Sequence, residues 1–172
     1  HIIIGNHDTY YKNTNEVNAL QNLNINKDAK IYTRATTVNF DGLDILFLPW
    51  ICDDNYDDSL YAIDNSTTTI AMGHLEVKGF EMHKGVFNDH GLEKSQFNKF
   101  EKVLSGHFHK KSDDGRIYYL GTQYEITWSD YKCPKGFHIF DTETRELERI
   151  PNPIRMYKKL FYNDKENDYS NL

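Results

Sequence analysis

Three times in this chain a short apolar run stops at a glycine and is followed at once by ligand-type side chains. Ile2-Ile3-Ile4 leads into Gly5-Asn6-His7-Asp8, Thr69-Ile70-Ala71-Met72 into Gly73-His74, and Lys102-Val103-Leu104-Ser105 into Gly106-His107-Phe108-His109. Short apolar runs bounded by turn signals read as buried strands. Strands that unload imidazoles, an amide and a carboxylate at their ends predict an α/β layered domain with its site on the strand tips. Each glycine is expected to let the backbone turn sharply, so that the next side chain enters a shared cavity.

The remaining pattern fits one domain built around those exits. With 172 residues the chain is long enough for a sizeable core. No run of about 18 apolar residues is present, which excludes a spanning helix, and no charged-then-apolar leader opens the chain. Cys52 and Cys133 make neither a disulfide framework nor a CxxC pair, which points to a reduced intracellular compartment. The formal net charge of −6 argues against a bare electrostatic DNA binder. Bound divalent ions would supply local positive charge instead.

In chain order, residues 1–4 predict a strand and 14–23 a short helix, from the spacing of Val17, Leu20 and Leu23. Asp41-Gly42 predicts a two-residue turn between strands at 37–40 and 43–48. The acidic run at 52–58 predicts a solvated loop and the first turn of a helix reaching about Asn65; it lacks the glycine and terminal glutamate of a calcium loop. Residues 75–92 show no period and predict a long functional loop. Residues 93–100 predict a helix, and 117–120, 136–141 and 146–150 predict strands. His138, between Phe137 and Ile139, is placed on a strand's outer face. Pro151 and Pro153 mark a boundary: 1–153 reads as the main domain and 154–172 as the start of a following linker or capping segment. The opening on His1, inside a strand pattern and without Met, predicts a piece cut from a longer chain.

Asn6, His74, His107 and His109 are the residue types that hold divalent ions. Two such ions about 4 Å apart would acidify a water and clamp phosphoryl oxygens. His83 and His90 in the long loop, Lys110, Lys111 and Arg116 after the third exit, and the two tryptophans, Trp50 and Trp128, are assigned to surface, rim or packing roles.

The motifs GNHD, GH and GHxH resemble those of the calcineurin-like metallophosphoesterases. Within that superfamily, residues 1 to about 153 look most like SbcD-type DNA repair nucleases, in particular phage-encoded recombination endonuclease subunits. Leu48-Pro49-Trp50, Gly79-Phe80, Tyr119-Leu120-Gly121-Thr122 and Pro134-Lys135-Gly136-Phe137 share in the likeness. The resemblance implies a four-layer α/β/β/α sandwich, here without its first β-α-β-α units. It implies that Asn6, His74 and His107 hold a second metal and His109 a first. His7 would act on the phosphate or leaving group, with Asp8 orienting its ring. The family's upstream Asp-x-His and Gly-Asp motifs are not in these residues. The chain is therefore expected to be inactive alone, to hold at most one ion weakly, and to cover an uncovered strand edge by self-association.

For the parent, the resemblance implies manganese-dependent hydrolysis of DNA in recombination and end processing. It would act in the cytoplasm of a host cell, as a homodimer partnered with an SMC-like coiled-coil ATPase and away from membranes. Two alternatives remain open at this point: a phosphomonoesterase or nucleotide phosphohydrolase on the same scaffold, and a scaffold used only for protein interaction.

Overall fold

The computed structural model describes residues 1–22, 28–83 and 85–160, leaving aside the side chains of Asn22 and His83. Among the described residues the strands in chain order are β1 (Ile2–Ile3), β2 (Ile31–Tyr32), β3 (Thr36–Phe40), β4 (Leu43–Leu48), β5 (Ile70–Gly73), β6 (Glu81–His83), β7 (Val86–Phe87), β8 (Lys102–Ser105), β9 (Ser112–Asp113), β10 (Ile117–Tyr119), β11 (Lys135–Phe140) and β12 (Leu147–Asn152). Two α-helices are described, α1 (Ala19–Asn22) and α2 (Tyr56–Asn65), together with 3-10 turns at Asp53–Asn55, Lys94–Phe97 and Trp128–Asp130. None is long and apolar enough to cross a membrane.

Six strands form one mixed sheet in the order β3-β4-β5-β8-β10-β9. The outer pairs β3–β4 and β10–β9 are antiparallel; the four central strands are parallel. The antiparallel β3–β4 pair follows from Asp41-Gly42, whose φ angles of 50° and 93° suit a tight hairpin turn. The parallel register brings Leu48, Gly73, Ser105 and Tyr119 abreast. One further backbone bond per pair continues the ladder past the sheet: His74 N–H to Leu48 O, Gly106 N–H to Gly73 O and Leu120 N–H to Ser105 O, at 3.0, 2.9 and 2.9 Å. Two of the motif-bearing exits, Gly73-His74 and Gly106-His107, therefore leave the same edge side by side, where open α/β sheets bind their ligands.

The sheet divides its apolar side chains by the two-residue period. Leu46, Leu48, Ala71, Val103, Ile117 and Tyr119 pack on one side with Ile63 of α2 and with Phe80, Phe97, Phe100 and Phe108. Leu43, Ile45, Phe47 and Ile70 face the other side, against Ile3, Tyr32, Val38, Phe40, Met72 and Phe140. The architecture is thus mixed α/β with few helices.

Several local expectations change. The helix near 14–23 reduces to Ala19–Asn22 among the described residues; Leu23 lies outside them. Its spacing misled because Asn15 and Asn18 are buried there while Val17 is 42% exposed. Residues 93–100 hold only a 3-10 turn, and the loop at 75–92 contains the β6–β7 hairpin. β1 pairs in parallel with β2 outside the main sheet, and its link to β4 is the Trp50 N–H to Ile4 O bond at 2.8 Å. β12 runs through Pro151. On β11 it is Phe137 and Ile139 that face solvent, while His138 turns inward and burial lowers its pKa.

Residues past Pro153 fold back onto the preceding loop. The buried carboxylate of Glu125 accepts from the backbone amides of Lys132, Met156 and Tyr157, and the Tyr157 ring stacks on Trp128 at 4.6 Å.

Candidate metal centre at the strand ends

At the carboxyl edge of the sheet, His74 Nε2 lies 2.9 Å from Asn6 Oδ1 and 3.3 Å from His107 Nδ1. The His74 and His107 rings meet edge to face with centroids 5.1 Å apart. Three motifs far apart in sequence thus supply three donor atoms at one point, two imidazole nitrogens and an amide oxygen. Burial first, and then the charge each would feel from the other histidines, pushes both rings down to a pKa of about 4. Both are neutral at pH 7, the form that binds a cation.

The glycines do their work by being small. An added Cβ on Gly5 would stand 2.8 Å from His74 Cε1, and one on Gly106 would stand 3.2 Å from His74 Nδ1. At Gly73 the obstacle is Leu48 O, 2.6 Å away. None of the three has a positive φ. The expectation of sharp turning is therefore replaced by close approach: the His74 ring sits in space that two missing side chains leave open.

The positive φ falls on His107 itself, at 79°. Phe108 N–H donates to Gly106 O at 3.2 Å, which closes a γ-turn around His107. The segment is not extended, so simple alternation does not place its two histidines. Phe108 anchors the turn instead, 4% exposed with its ring 4.4 Å from that of Tyr119.

His109 is directed elsewhere. Its Nδ1 lies 3.1 Å from Asp130 Oδ2, and its carbonyl accepts from Thr122 N–H and from Lys135 Nζ. Asp130 and Lys135 are buried and paired at 2.8 Å. Burial works to raise the Asp130 pKa, yet the Lys135 ammonium and the Thr127 and Ile126 amides hold it well below the usual carboxylate range. This carboxylate behind an imidazole fixes ring orientation. Sequence reasoning missed it: a lone Asp in Trp-Ser-Asp carries no motif, and only the fold brings it 21 residues back to His109.

Asp8 Oδ2 accepts from Gly5 N–H at 2.8 Å and its own N–H donates to Gly5 O, so it closes the Gly5–Asp8 turn that carries His7. His7 is exposed and lines a cavity of about 400 Å³ with Asn6, Thr9, Lys12 and Trp50. The Trp50 ring lies 5.2 Å from that of His107, and its carbonyl accepts from the Asn15 and Asn55 side-chain amides at 2.7 and 3.0 Å. Ser105 and Tyr119, both buried, pin the backbone that follows His74. The Ser105 hydroxyl accepts from Leu75 N–H, and the Tyr119 hydroxyl accepts from Val77 N–H while donating to Leu75 O.

The basic residues beyond the third exit are engaged at the rim. Lys110 pairs with Glu81, Lys111 with Asp113, and Arg116 bonds Asn98. Among the described residues, no group of three or more His, Cys, Asp or Glu side chains is set to hold an ion. The cluster is two imidazoles and an amide, with no carboxylate.

The molecule is thus an α/β protein whose parallel strand ends gather a polar cluster of cation-seeking side chains. No family model matches the chain. It is 39% identical over 163 residues to exonuclease subunit 1 of Enterobacteria phage T4, an alignment covering 94% of this chain and 48% of that protein. It is 26% identical over 105 residues to the SbcD component of the SbcCD nuclease of Staphylococcus saprophyticus, covering 57% of this chain and 28% of that protein. The chain is therefore similar in sequence to these two nuclease subunits, in line with the motifs, and spans about half the length or less of each.

Proposed function

We propose that this chain carries part of the active centre of a metal-dependent DNA phosphodiesterase, the nuclease partner of an SMC-like coiled-coil ATPase in recombination and DNA-end processing. One observation carries the reading: Asn6, His74 and His107 present three donor atoms 2.9 and 3.3 Å apart in a chain similar in sequence to two nuclease subunits. Two imidazole nitrogens and an amide oxygen brought this close are a donor set that would suit one divalent ion. His109, with Nδ1 turned to Asp130, keeps Nε2 for a second.

Two divalent ions, manganese on this reading, supply an activated water and neutralise charge on the phosphoryl oxygens. Asn6, His74 and His107 hold one ion and position it. His7, exposed on the adjoining cavity, hydrogen-bonds the phosphate or protonates the leaving oxygen. Asp8 keeps His7 in reach by closing the turn that carries it. Because no carboxylate joins the cluster among the described residues, these side chains by themselves hold at most one ion, weakly, and turnover requires carboxylate ligands in addition.

The same reading extends to the architecture and setting. The face formed by Leu43, Ile45, Phe47 and Ile70 is the one that a second sheet covers in a four-layer α/β/β/α sandwich. Residues 1–153 form the nuclease portion and 154–172 lead into a capping segment. The parent works as a homodimer on DNA in the host cytoplasm.

The test is manganese-dependent degradation of linear DNA by the complete protein and by its His74→Ala variant. The expected result is activity in the first and at least a hundredfold less in the second. Hydrolysis of a small phosphomonoester with DNA left intact would overturn the reading.

A further inference from the structure

Directly after the Gly5–Asp8 turn, Tyr10 and Tyr11 hold their rings in solvent, 79% and 52% exposed. The rings meet edge to face, centroids 4.8 Å apart at 85°. Neither belongs to a core cluster, so packing does not account for them. Their backbone is nevertheless fixed. Thr9 pairs with Asn18, Tyr10 N–H donates to Val17 O, and Ala19 N–H donates to Asp8 O, both at 2.9 Å. Buried Asn18 adds side-chain bonds to Asn15 O and from Gln21 N–H. An exposed aromatic pair on a hydrogen-bonded ribbon is already organised to receive a flat ligand.

Its place beside the candidate centre indicates which ligand. Thr9 and Lys12, the residues flanking the pair, line the cavity that holds Asn6, His7 and Trp50. Tyr10 is three residues from His7, so their Cα atoms lie within ~11 Å. A flat group reaching the pair while a phosphate sits at His7 is a nucleobase of the same strand. Aromatic faces accept any base, and a cation beside them serves the adjoining phosphate. A base inside a duplex is already stacked on both sides, so such a platform favours unpaired or frayed ends.

We propose that Tyr10 and Tyr11 form a stacking platform for an unpaired nucleobase next to the phosphate at the Asn6–His74–His107 cluster, with Lys12 on the neighbouring phosphate. This rests on the nuclease reading above and adds to it the strand state of the substrate.

The experiment uses the complete, manganese-loaded protein with a short thymidine oligonucleotide and an abasic strand of equal length. Binding is followed by fluorescence anisotropy and cleavage by gel. The wild type is expected to bind the thymidine strand about tenfold tighter than the abasic one. The Tyr10→Ala/Tyr11→Ala double variant should lose about that factor on the thymidine strand alone. The Tyr10→Phe/Tyr11→Phe variant, which keeps both π faces, should retain it. An alanine variant with wild-type affinity for the thymidine strand, or with an equal loss on the abasic strand, overturns the platform. A wild type that binds the two strands equally and cleaves both removes the platform and leaves the nuclease reading standing. A wild type that binds and cleaves neither removes both.

Discussion

The imidazole of His74 lies so close to the backbone of Gly5 that a Cβ there would stand 2.8 Å from its Cε1 and 2.9 Å from its Nδ1. Gly5→Ala must therefore displace the ring that bonds Asn6, at an overpacking cost of about 1–3 kcal/mol. Gly106→Ala, with its nearest contact at 3.2 Å, should cost less. Urea unfolding of both variants, with manganese titration by calorimetry, should show this order, and manganese affinity should fall more for Gly5→Ala. Equal effects at the two positions would contradict the contact.

Asp130→Ala leaves the Lys135 ammonium buried without its 2.8 Å partner and frees the His109 ring. Breaking a buried pair in this way costs about 3–5 kcal/mol. Asp130→Asn can still accept from the Thr127 and Ile126 amides and should lose less. Denaturation midpoints rank the two variants; an Asp130→Ala protein as stable as the wild type would refute the role.

Acid should destabilise the metal-free protein through His74 and His107. Their ordinary pKa is 6.5 and burial lowers both to about 4 in the folded chain. Between those values the unfolded state binds more protons, so their contribution is complete above about pH 6.5 and is lost as pH falls through about 4. His74→Gln should flatten the melting-temperature profile over that window relative to the wild type. Superimposable profiles would show that the ring is not held neutral.

His107 holds its position at a φ of 79°. Glycine tolerates that conformation and alanine does not. His107→Gly should therefore be about 1 kcal/mol more stable than His107→Ala, while both lose affinity for manganese. Thermal melts of the pair check the difference, and a more stable alanine variant would rule out the strain.

The elements legible in the sequence were those written within a few residues. Asp41-Gly42 specified the β3–β4 hairpin because the turn's φ values depend on those two residues alone. The runs at 70–73 and 102–105 specified β5 and β8 because buried parallel strands show consecutive apolar residues, here Ile70-Ala71-Met72 and Val103-Leu104, just ahead of the turn. Val17 and Leu20 failed as a helix signal because buried asparagine amides, Asn15 and Asn18, hold that loop by bonds with no hydrophobic period.

From the order of residues alone it follows that strands end in glycine and then imidazole or amide, and the motifs so formed agree with the similarity to two nuclease subunits. The folded chain was needed to show that Asn6 reaches His74 across 68 residues, that the glycines leave room for a ring, and that Asp130 and Trp50 brace the histidines. The difference is one of range. Strand and turn preferences are set by neighbours in the chain, whereas close approach and buried hydrogen bonds depend on the parallel register that places Leu48, Gly73 and Ser105 abreast.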